Sequence, residues 1–373
     1  MYTMHVAIIG GGIFGIMVAL RLAERGLLVT IFEKNKDILL GASYINQYRM
    51  HMGYHYPRSK ETAKSSYNSY KAFCNIFKEC IVDNFNHYYC IAKHGSLTSS
   101  KQYKEFCDWL GVPYVKEFPT AISVSQDEVE LCIKVPEKLY DPNILRDSLK
   151  SLLKNQDRIR VLLSTEVINI IKNDKGFEVH SKNGDRIIKE DYGVIVNTTY
   201  SNINKIAKMA GFKTREYQYE LCEVVVVEVP WTRRTGCAIF DGQFFGILPF
   251  GFSEKYVLCD VELSVLERSY GELPEFKFDA EYYDQEDVRA ERFKRYIEKS
   301  KKYIKEMENC KYLYSMYITK ILLSDKEYDD ARLTEILYYG NGFWSILSGK
   351  VSTAIPTSEK IAEEIDHYFN TLK

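Results

Sequence analysis

His5-Val6-Ala7-Ile8-Ile9-Gly10-Gly11-Gly12-Ile13-Phe14-Gly15 reads as an apolar strand running into a glycine turn. From Ile16 to Arg25 the composition is helical, and Gly26 stands where a helix stops. Leu28-Val29-Thr30-Ile31-Phe32 is a second apolar run ending at Glu33, close to the expected spacing of about 20 residues past the first glycines. Strand, turn, helix, strand and acid together predict a βαβ unit that binds a dinucleotide. Gly10 makes the tight turn, Gly12 lets the backbone approach a pyrophosphate, and Gly15 lets the helix lie close to the strand. The helix N-terminus meets the phosphates. Glu33 accepts hydrogen bonds from ribose hydroxyls and repels a 2′-phosphate, which favours FAD or NAD over NADP.

The rest of the chain sets bounds. Its 373 residues, 46% hydrophobic, suffice for one large domain or two moderate ones. With 50 basic and 51 acidic residues there is no overall field for nucleic acid or an anionic membrane. The nine cysteines (Cys74, Cys80, Cys90, Cys107, Cys132, Cys222, Cys237, Cys259, Cys310) are scattered without a Cys-x-x-Cys pair, so reduced thiols and no zinc site are expected. Met1 to Ile9 runs straight into a strand and leaves no room for a secretory leader. The most apolar stretch, Val224 to Val229, is broken by Glu228 and falls far short of the roughly 18 residues of a membrane span. A cytoplasmic location is expected.

After the second strand comes Gly41-Ala42-Ser43-Tyr44-Ile45-Asn46-Gln47-Tyr48-Arg49-Met50-His51-Met52-Gly53-Tyr54-His55-Tyr56-Pro57-Arg58-Ser59. This resembles the glycine-oxidase and D-amino-acid-oxidase superfamily of FAD-dependent oxidoreductases. The His51-x-Gly53-x-x-Tyr56 portion is similar to L-2-hydroxyglutarate oxidase and glycerol-3-phosphate dehydrogenase relatives. The resemblance implies that the Gly41-Ala42-Ser43 segment crosses the pyrophosphate of FAD and runs on beside the isoalloxazine ring. It implies cofactor contacts at Ile13, Phe14, Lys34, Ala42, Ser43, Gln47, Arg49 and Met50, in addition to Gly10, Gly12, Gly15 and Glu33. Further on it implies an adenine contact at Val167, contacts at Asn197 and Thr198, and a closing segment with Gly342, Phe343, Trp344 and Lys350. Asn197-Thr198-Thr199 departs from the family's usual Asn-Ala-Thr/Ser-Gly-like segment.

The fold expected is α/β, α+β overall: a Rossmann-type FAD-binding domain with an interleaved substrate domain on a large mixed or antiparallel sheet. The cofactor domain would take residues 1–83, 142–208 and 328–373, and the substrate domain 84–141 and 209–327. Strands are predicted at 87–92, 121–124, 129–135, 160–163, 166–171, 177–180, 191–199, 219–229, 236–240, 244–249, 255–263 and 336–339. Helices are predicted from Lys60 to Cys80, Ser100 to Leu110 and Glu286 to Met307, and from Pro142 to Leu153 with Asp141 as N-cap. At the end, Gly340-Asn341-Gly342 reads as a turn, Phe343 to Thr353 as a loop implied by Pro356, and Lys360 to Phe369 as an amphipathic helix.

Oxidation of an amine or alcohol needs groups that orient the C–H bond and accept a proton. His51 is the leading base, with an ordinary pKa near neutrality, and His55 the second. Gly53 between them argues against a helix, and no acid accompanies them, so no metal is expected. Arg49, Arg58 and Arg332 could each hold a carboxylate or phosphate through a bidentate fork, and the resemblance implies a carboxylate partner for Arg332. Lys350 could place positive charge near the flavin pyrimidine edge and Lys320 could point inward from Met316-Tyr317-Ile318-Thr319-Lys320, with solvent as the ordinary place of both lysines. Asp241-Gly242 reads as a hairpin turn that could also overhang the ring. The expected reaction is hydride transfer to FAD from a small amine, amino acid or hydroxy acid, with an anionic substrate expected. A UDP-galactopyranose-mutase-type isomerase and an NAD-dependent dehydrogenase are alternatives compatible with the glycine turn.

Overall fold

A computed structural model of the chain describes residues 4–323 and 333–371. Its first layer is a six-stranded sheet in the order Glu335–Gly340, Phe343–Leu347, Val194–Asn197, His5–Ile9, Leu28–Phe32 and Ile159–Leu162. All neighbours are parallel except the outermost pair, Glu335–Gly340 with Phe343–Leu347. The inner strands are apolar because they are covered on both faces. The helix Ile13–Glu24 packs with the C-terminal helix Ala354–Thr371 in one core with Val6, Ile8, Val29 and Ile31. The opposite face carries an antiparallel sheet of Glu166–Asn173, Gly176–Asn183 and Arg186–Tyr192, joined through Val167, Ile170, Phe177 and Val179 to Ala7 and Ile9.

The second body is a nine-stranded, mostly antiparallel sheet centred on the long strand Tyr217–Glu228, which pairs along its length with Lys311–Leu322. Its one parallel contact joins Thr235–Phe240 to Asn86–Ala92. The strand-rich reading of this half therefore holds, and the mixed α/β class with it.

Several boundaries differ from expectation. Residues 121–124 form no strand; Val124 makes only an isolated bridge to Ile304. The helix from Lys60 ends at Ile76, followed by a short turn Lys78–Cys80, and the helix from Glu286 ends at Ser300. The segment 343–353 is not a loop, because Phe343–Leu347 is a fully buried strand and Val351–Thr353 a helical turn. The last helix begins at Ala354 rather than Lys360. Pro356 sits in its first turn, where no preceding carbonyl awaits its missing N–H. Asp141 caps Pro142–Lys154 as read, its Oδ1 accepting from the Asn143 and Ile144 amides at 2.9 and 3.1 Å.

Candidate active site

At the carboxyl end of His5–Ile9 the chain turns through Gly10 at φ +113°. A Cβ on Gly10 would lie 2.8 Å from the Thr198 carbonyl oxygen, and one on Gly15 only 2.1 Å from the Gly10 carbonyl oxygen. Gly11 is equally constrained, since its Cβ would fall 2.9 Å from that of Glu33. Gly12 is different. Its backbone is extended, and the nearest atom to a Cβ there is Ser43 Oγ at 3.3 Å. The steric demand at Gly10, Gly11 and Gly15 comes from the protein; the space before Gly12 is left for something else. Gly12 is also the N-cap of Ile13–Glu24, without a side-chain cap, so the helix presents amides and its positive end to that space.

Glu33 is buried beside this turn. One carboxylate oxygen accepts from the Gly11 amide at 2.7 Å, and the other from the Asn35 amide and side chain at 2.8 and 2.7 Å. Thr198 Oγ1 lies 3.0 Å from the carbonyl oxygens of both Ile9 and Gly10, closing the turn from behind.

A cavity of about 200 Å³ is lined by Gly10, Gly12, Glu33, Lys34, Val167 and Thr198. It shares Ile13, Phe14, Ala42 and Ser43 with a second cavity of about 800 Å³ that lies against the large sheet. The donor set suits FAD: Glu33 and Val167 would hold the adenosine end, and Gly12 with the helix N-terminus would hold the pyrophosphate.

Gln47, Arg49, His51, His55 and Lys350 line the larger cavity, as do Arg58, Asp241 and Lys320. Arg49 is enclosed; its Nη1 sits 3.0 Å from His55 Nδ1 and 3.4 Å from the Tyr89 hydroxyl. Gly246 makes room for it, since a Cβ there would stand 2.8 Å from Arg49 Nη2. His51 is held neutral: burial first, then the charges of Lys350 and Arg49, keep it well below the ordinary histidine range. Arg58 is committed to Asp241 by two hydrogen bonds of 2.8 and 3.0 Å. Arg332 lies outside the described residues.

Other residues of the expected set lie away from the two cavities. Gly342, Phe343 and Trp344 do not line either cavity. Phe343 packs on Phe177 and Phe212, Trp344 on Tyr338 and Tyr368 with Nε1 donating to Glu364, and Gly342 lies against the Gly193 carbonyl oxygen and Tyr368. These residues belong to the strand and the turn before it, whose groups go into packing. The cavities are met at the carboxyl end of that strand, from Leu347 on through Ser348, Gly349, Lys350 and Val351, as is general for open α/β sheets. Met50 and Asn197 are likewise internal. Met50 joins the core beneath the first helix, and Asn197 Nδ2 donates to the Ile203 carbonyl oxygen and Ser345 Oγ. Thr198 and Thr199 take the place at the smaller cavity.

Two further groups stand out: Lys320, whose inward alternative is the one found, and Glu137, which the sequence did not single out for chemistry. Lys320 lies deep in the molecule yet opens on the cavity. Cys222, then Cys259, Tyr200 and Glu220 favour its ammonium over the opposing effect of burial. Cys222 is itself pushed up to about 11 by burial and is a neutral thiol at pH 7, so the Glu220 carboxylate is the charge that acts there. Glu137 is fully enclosed, accepting from the Met52 amide at 2.7 Å and the Tyr89 hydroxyl at 2.6 Å; burial pushes it up to about 6.

A parallel sheet with an open glycine turn, leading through one cavity into a larger one lined by cations and histidines, defines a dinucleotide-dependent oxidoreductase. Residues 5–308 match the DAO family, described as FAD dependent oxidoreductase, and the chain belongs to that family. Its relatives include the FAD-dependent monooxygenase kojA of Aspergillus flavus, 24% identical over 97% of this chain and 86% of that protein. FAD-dependent monooxygenase FPY4 of Fusarium mangiferae is 27% identical over 50% of this chain and 49% of its own length. In fold the chain is similar to glycine oxidase from Geobacillus kaustophilus, with a TM-score of 0.72 at 15% identity over 97% of this chain and 94% of that one. L-proline dehydrogenase from P. horikoshii gives 0.68 at 19% identity over 97% and 92%. Family membership selects FAD-dependent oxidation and sets aside the isomerase and NAD alternatives. Among the described residues no helix is long and apolar enough to cross a membrane, and no group of three His, Cys, Asp or Glu side chains is placed to hold a metal ion.

Proposed function

We propose that the protein oxidises a small anionic amino or hydroxy acid, with Arg49 and Lys320 holding its carboxylate and His51 taking the proton from its nitrogen or oxygen. The observation that carries this reading is the charge pairing around the larger cavity. Among the described residues its four lining acids are each matched: Glu220 with Arg268, Glu223 with Arg292, Asp241 with Arg58 and Asp260 with Lys299, at 2.8 to 3.2 Å. Arg49 and Lys320 have no such partner, since no carboxylate among the described residues comes within the 4.0 Å of an ion pair. Cations enclosed in this way, with carboxylates near but none in direct contact, favour an anionic guest that supplies the close ion pair in a low-dielectric site.

When bound, FAD supplies the two-electron acceptor that takes a hydride equivalent from carbon. The chain supplies position and proton transfer. Arg49 offers a planar fork and Lys320 a point charge, which together fix a carboxylate and with it the adjacent C–H bond. His51, neutral at rest, has a free lone pair with which to accept a proton. A bound carboxylate would also offset the cations that depress His51, making it a stronger base when it is needed.

The names of the kojA and FPY4 relatives favour a second reading, oxygen transfer to the substrate. Anaerobic mixing with amino acids, hydroxy acids and their uncharged amides separates the two. Flavin bleaching by an acid without oxygen supports oxidation. No bleaching by any acid, together with an ¹⁸O label from O₂ in the product under air, replaces it with the second reading.

A further inference from the structure

We propose that Glu137 is the positioning residue of His51, a buried carboxylate that holds the imidazole with its proton on Nδ1 and its lone pair on Nε2 toward the cavity. The inference rests on the proposed role of His51 in proton removal. It begins from an unmatched atom. His51 Nδ1 is buried and has no hydrogen-bond partner, and Glu137 Oε1 lies 4.0 Å from it. The side chain keeps 12% of its surface exposed and lines the cavity, while Nδ1 is the buried nitrogen, so the edge opposite Nδ1, which carries Nε2, is the one that meets the open space. A gap of 4.0 Å is not a hydrogen bond. Contacts of this kind commonly close when the substrate complex forms.

The partners of Glu137 decide which way His51 is protonated. Its oxygens already receive the Met52 amide and the Tyr89 hydroxyl, and Arg49 and Lys350 bring positive charge near it. Its carbonyl oxygen is turned to His87 Nδ1 at 3.0 Å. With these cations beside it and its titration near 6, the side chain is largely ionised at pH 7.5 and offers only acceptors to His51. An acceptor facing Nδ1 selects the Nδ1–H tautomer, and only then is Nε2 free to take a proton from a bound molecule. As it does so, the anion stabilises the imidazolium that forms.

Glu137→Gln tests this without knowledge of the substrate. The Met52 amide can only donate, so the Gln oxygen must stay with it. The Gln NH₂ then faces Tyr89, whose hydroxyl can rotate to accept, and it also presents a donor to His51 Nδ1. The tautomer should invert. In the FAD-loaded enzyme labelled with ¹⁵N-histidine, the His51 signal is identified as the one missing from His51→Gln. At pH 7.5 it should report Nδ1–H in the wild type and in Glu137→Asp, and Nε2–H in Glu137→Gln. Flavin reduction by whichever acid bleaches the wild type fastest should slow on the order of 10²-fold in Glu137→Gln. Nε2–H in the wild type, or an unchanged tautomer in a Glu137→Gln protein that retains flavin, overturns the proposal; if that variant does not fold, the wild-type tautomer decides alone. His51→Gln reducing flavin at the wild-type rate removes the base reading but not an Nδ1–H result, so the two failures are distinguishable.

Discussion

Gly12→Ala and Gly15→Ala add the same methyl group three residues apart and should have opposite consequences. At Gly15 the new Cβ would lie 2.1 Å from the Gly10 carbonyl oxygen, 2.7 Å from Thr198 Oγ1 and 3.2 Å from Ile8. The first of these is backbone in the tight turn and cannot swing aside, so helix and strand must separate. Overpacking ordinarily costs about 1–3 kcal/mol, and a contact this short against backbone belongs at or above the upper end. At Gly12 the backbone is extended and the nearest atom is 3.3 Å away, so the flavin-free protein should lose less than about 1 kcal/mol. The loss there appears only with the cofactor, because the methyl occupies the space left for the pyrophosphate. A mismatch of about 3 kcal/mol corresponds to roughly 100-fold weaker FAD binding, and with it the stabilisation that FAD confers on the fold. Thermal melting of the two flavin-free variants, followed by FAD titration monitored by flavin fluorescence, reads both effects. Gly12→Ala should melt close to the wild type and bind FAD weakly, while Gly15→Ala should melt several degrees lower. Wild-type FAD affinity in Gly12→Ala would refute the placement of the pyrophosphate.

His87 is enclosed, with Nε2 unpartnered, and burial followed by Arg49 depresses it to about 3. Its folded value lies below the unfolded one, so the unfolded chain binds the extra proton and stability falls as pH drops below 6.5, by about 3 kcal/mol at pH 4.5. His87→Phe should flatten that fall; Glu137, displaced upward, acts in the opposite sense between pH 6 and 4.5 but is common to both proteins. Equal acid slopes in urea titrations of the two would count against the assignment. Asp141→Ala removes the N-cap of Pro142–Lys154 and also the acceptor of the Phe252 amide at 2.8 Å. The expected cost is about 2 kcal/mol, and a midpoint shift in urea equivalent to under 0.5 kcal/mol would show the cap to be dispensable. Arg49→Lys keeps the charge but loses the fork that reaches His55 and Tyr89, so the KM for an acid substrate should rise about tenfold; an unchanged KM would free Arg49 from substrate binding.

The βαβ start is legible because its determinants are local: alternation of apolar runs, glycines at fixed offsets and an acid at the strand end. Pro356 misleads for a local reason too, since a proline marks a helix's first turn as readily as a break. The larger misplacement, that of Phe343 and Trp344, arises because a buried central strand and a cofactor-contacting loop share the same aromatic composition. Only the pairing with Val194–Asn197 shows which it is. Lys320 sits in a strand where alternation does not say whether a face meets solvent or an internal cavity. Glu137 lies between Pro136 and Lys138 in a stretch with the look of an exposed loop, and its burial follows from contacts with Met52 and Tyr89, far away in sequence. Arg58, by contrast, looks available for a substrate until Asp241, 183 residues on, claims it.

The central claim is that cations without acidic partners select an anionic substrate, and it is tested most directly by comparing an acid with its own amide in wild type and in Lys320→Met. For the acid that reduces the flavin fastest under anaerobic conditions, the wild type should prefer the acid over the amide. Loss of one charged anchor corresponds to about 1.5–3 kcal/mol, so Lys320→Met should reduce that preference about 10- to 100-fold in kcat/KM while the reaction of the amide changes little. An acid preference that survives Lys320→Met unchanged, or a wild type that reduces its flavin as readily with the amide, would contradict the account.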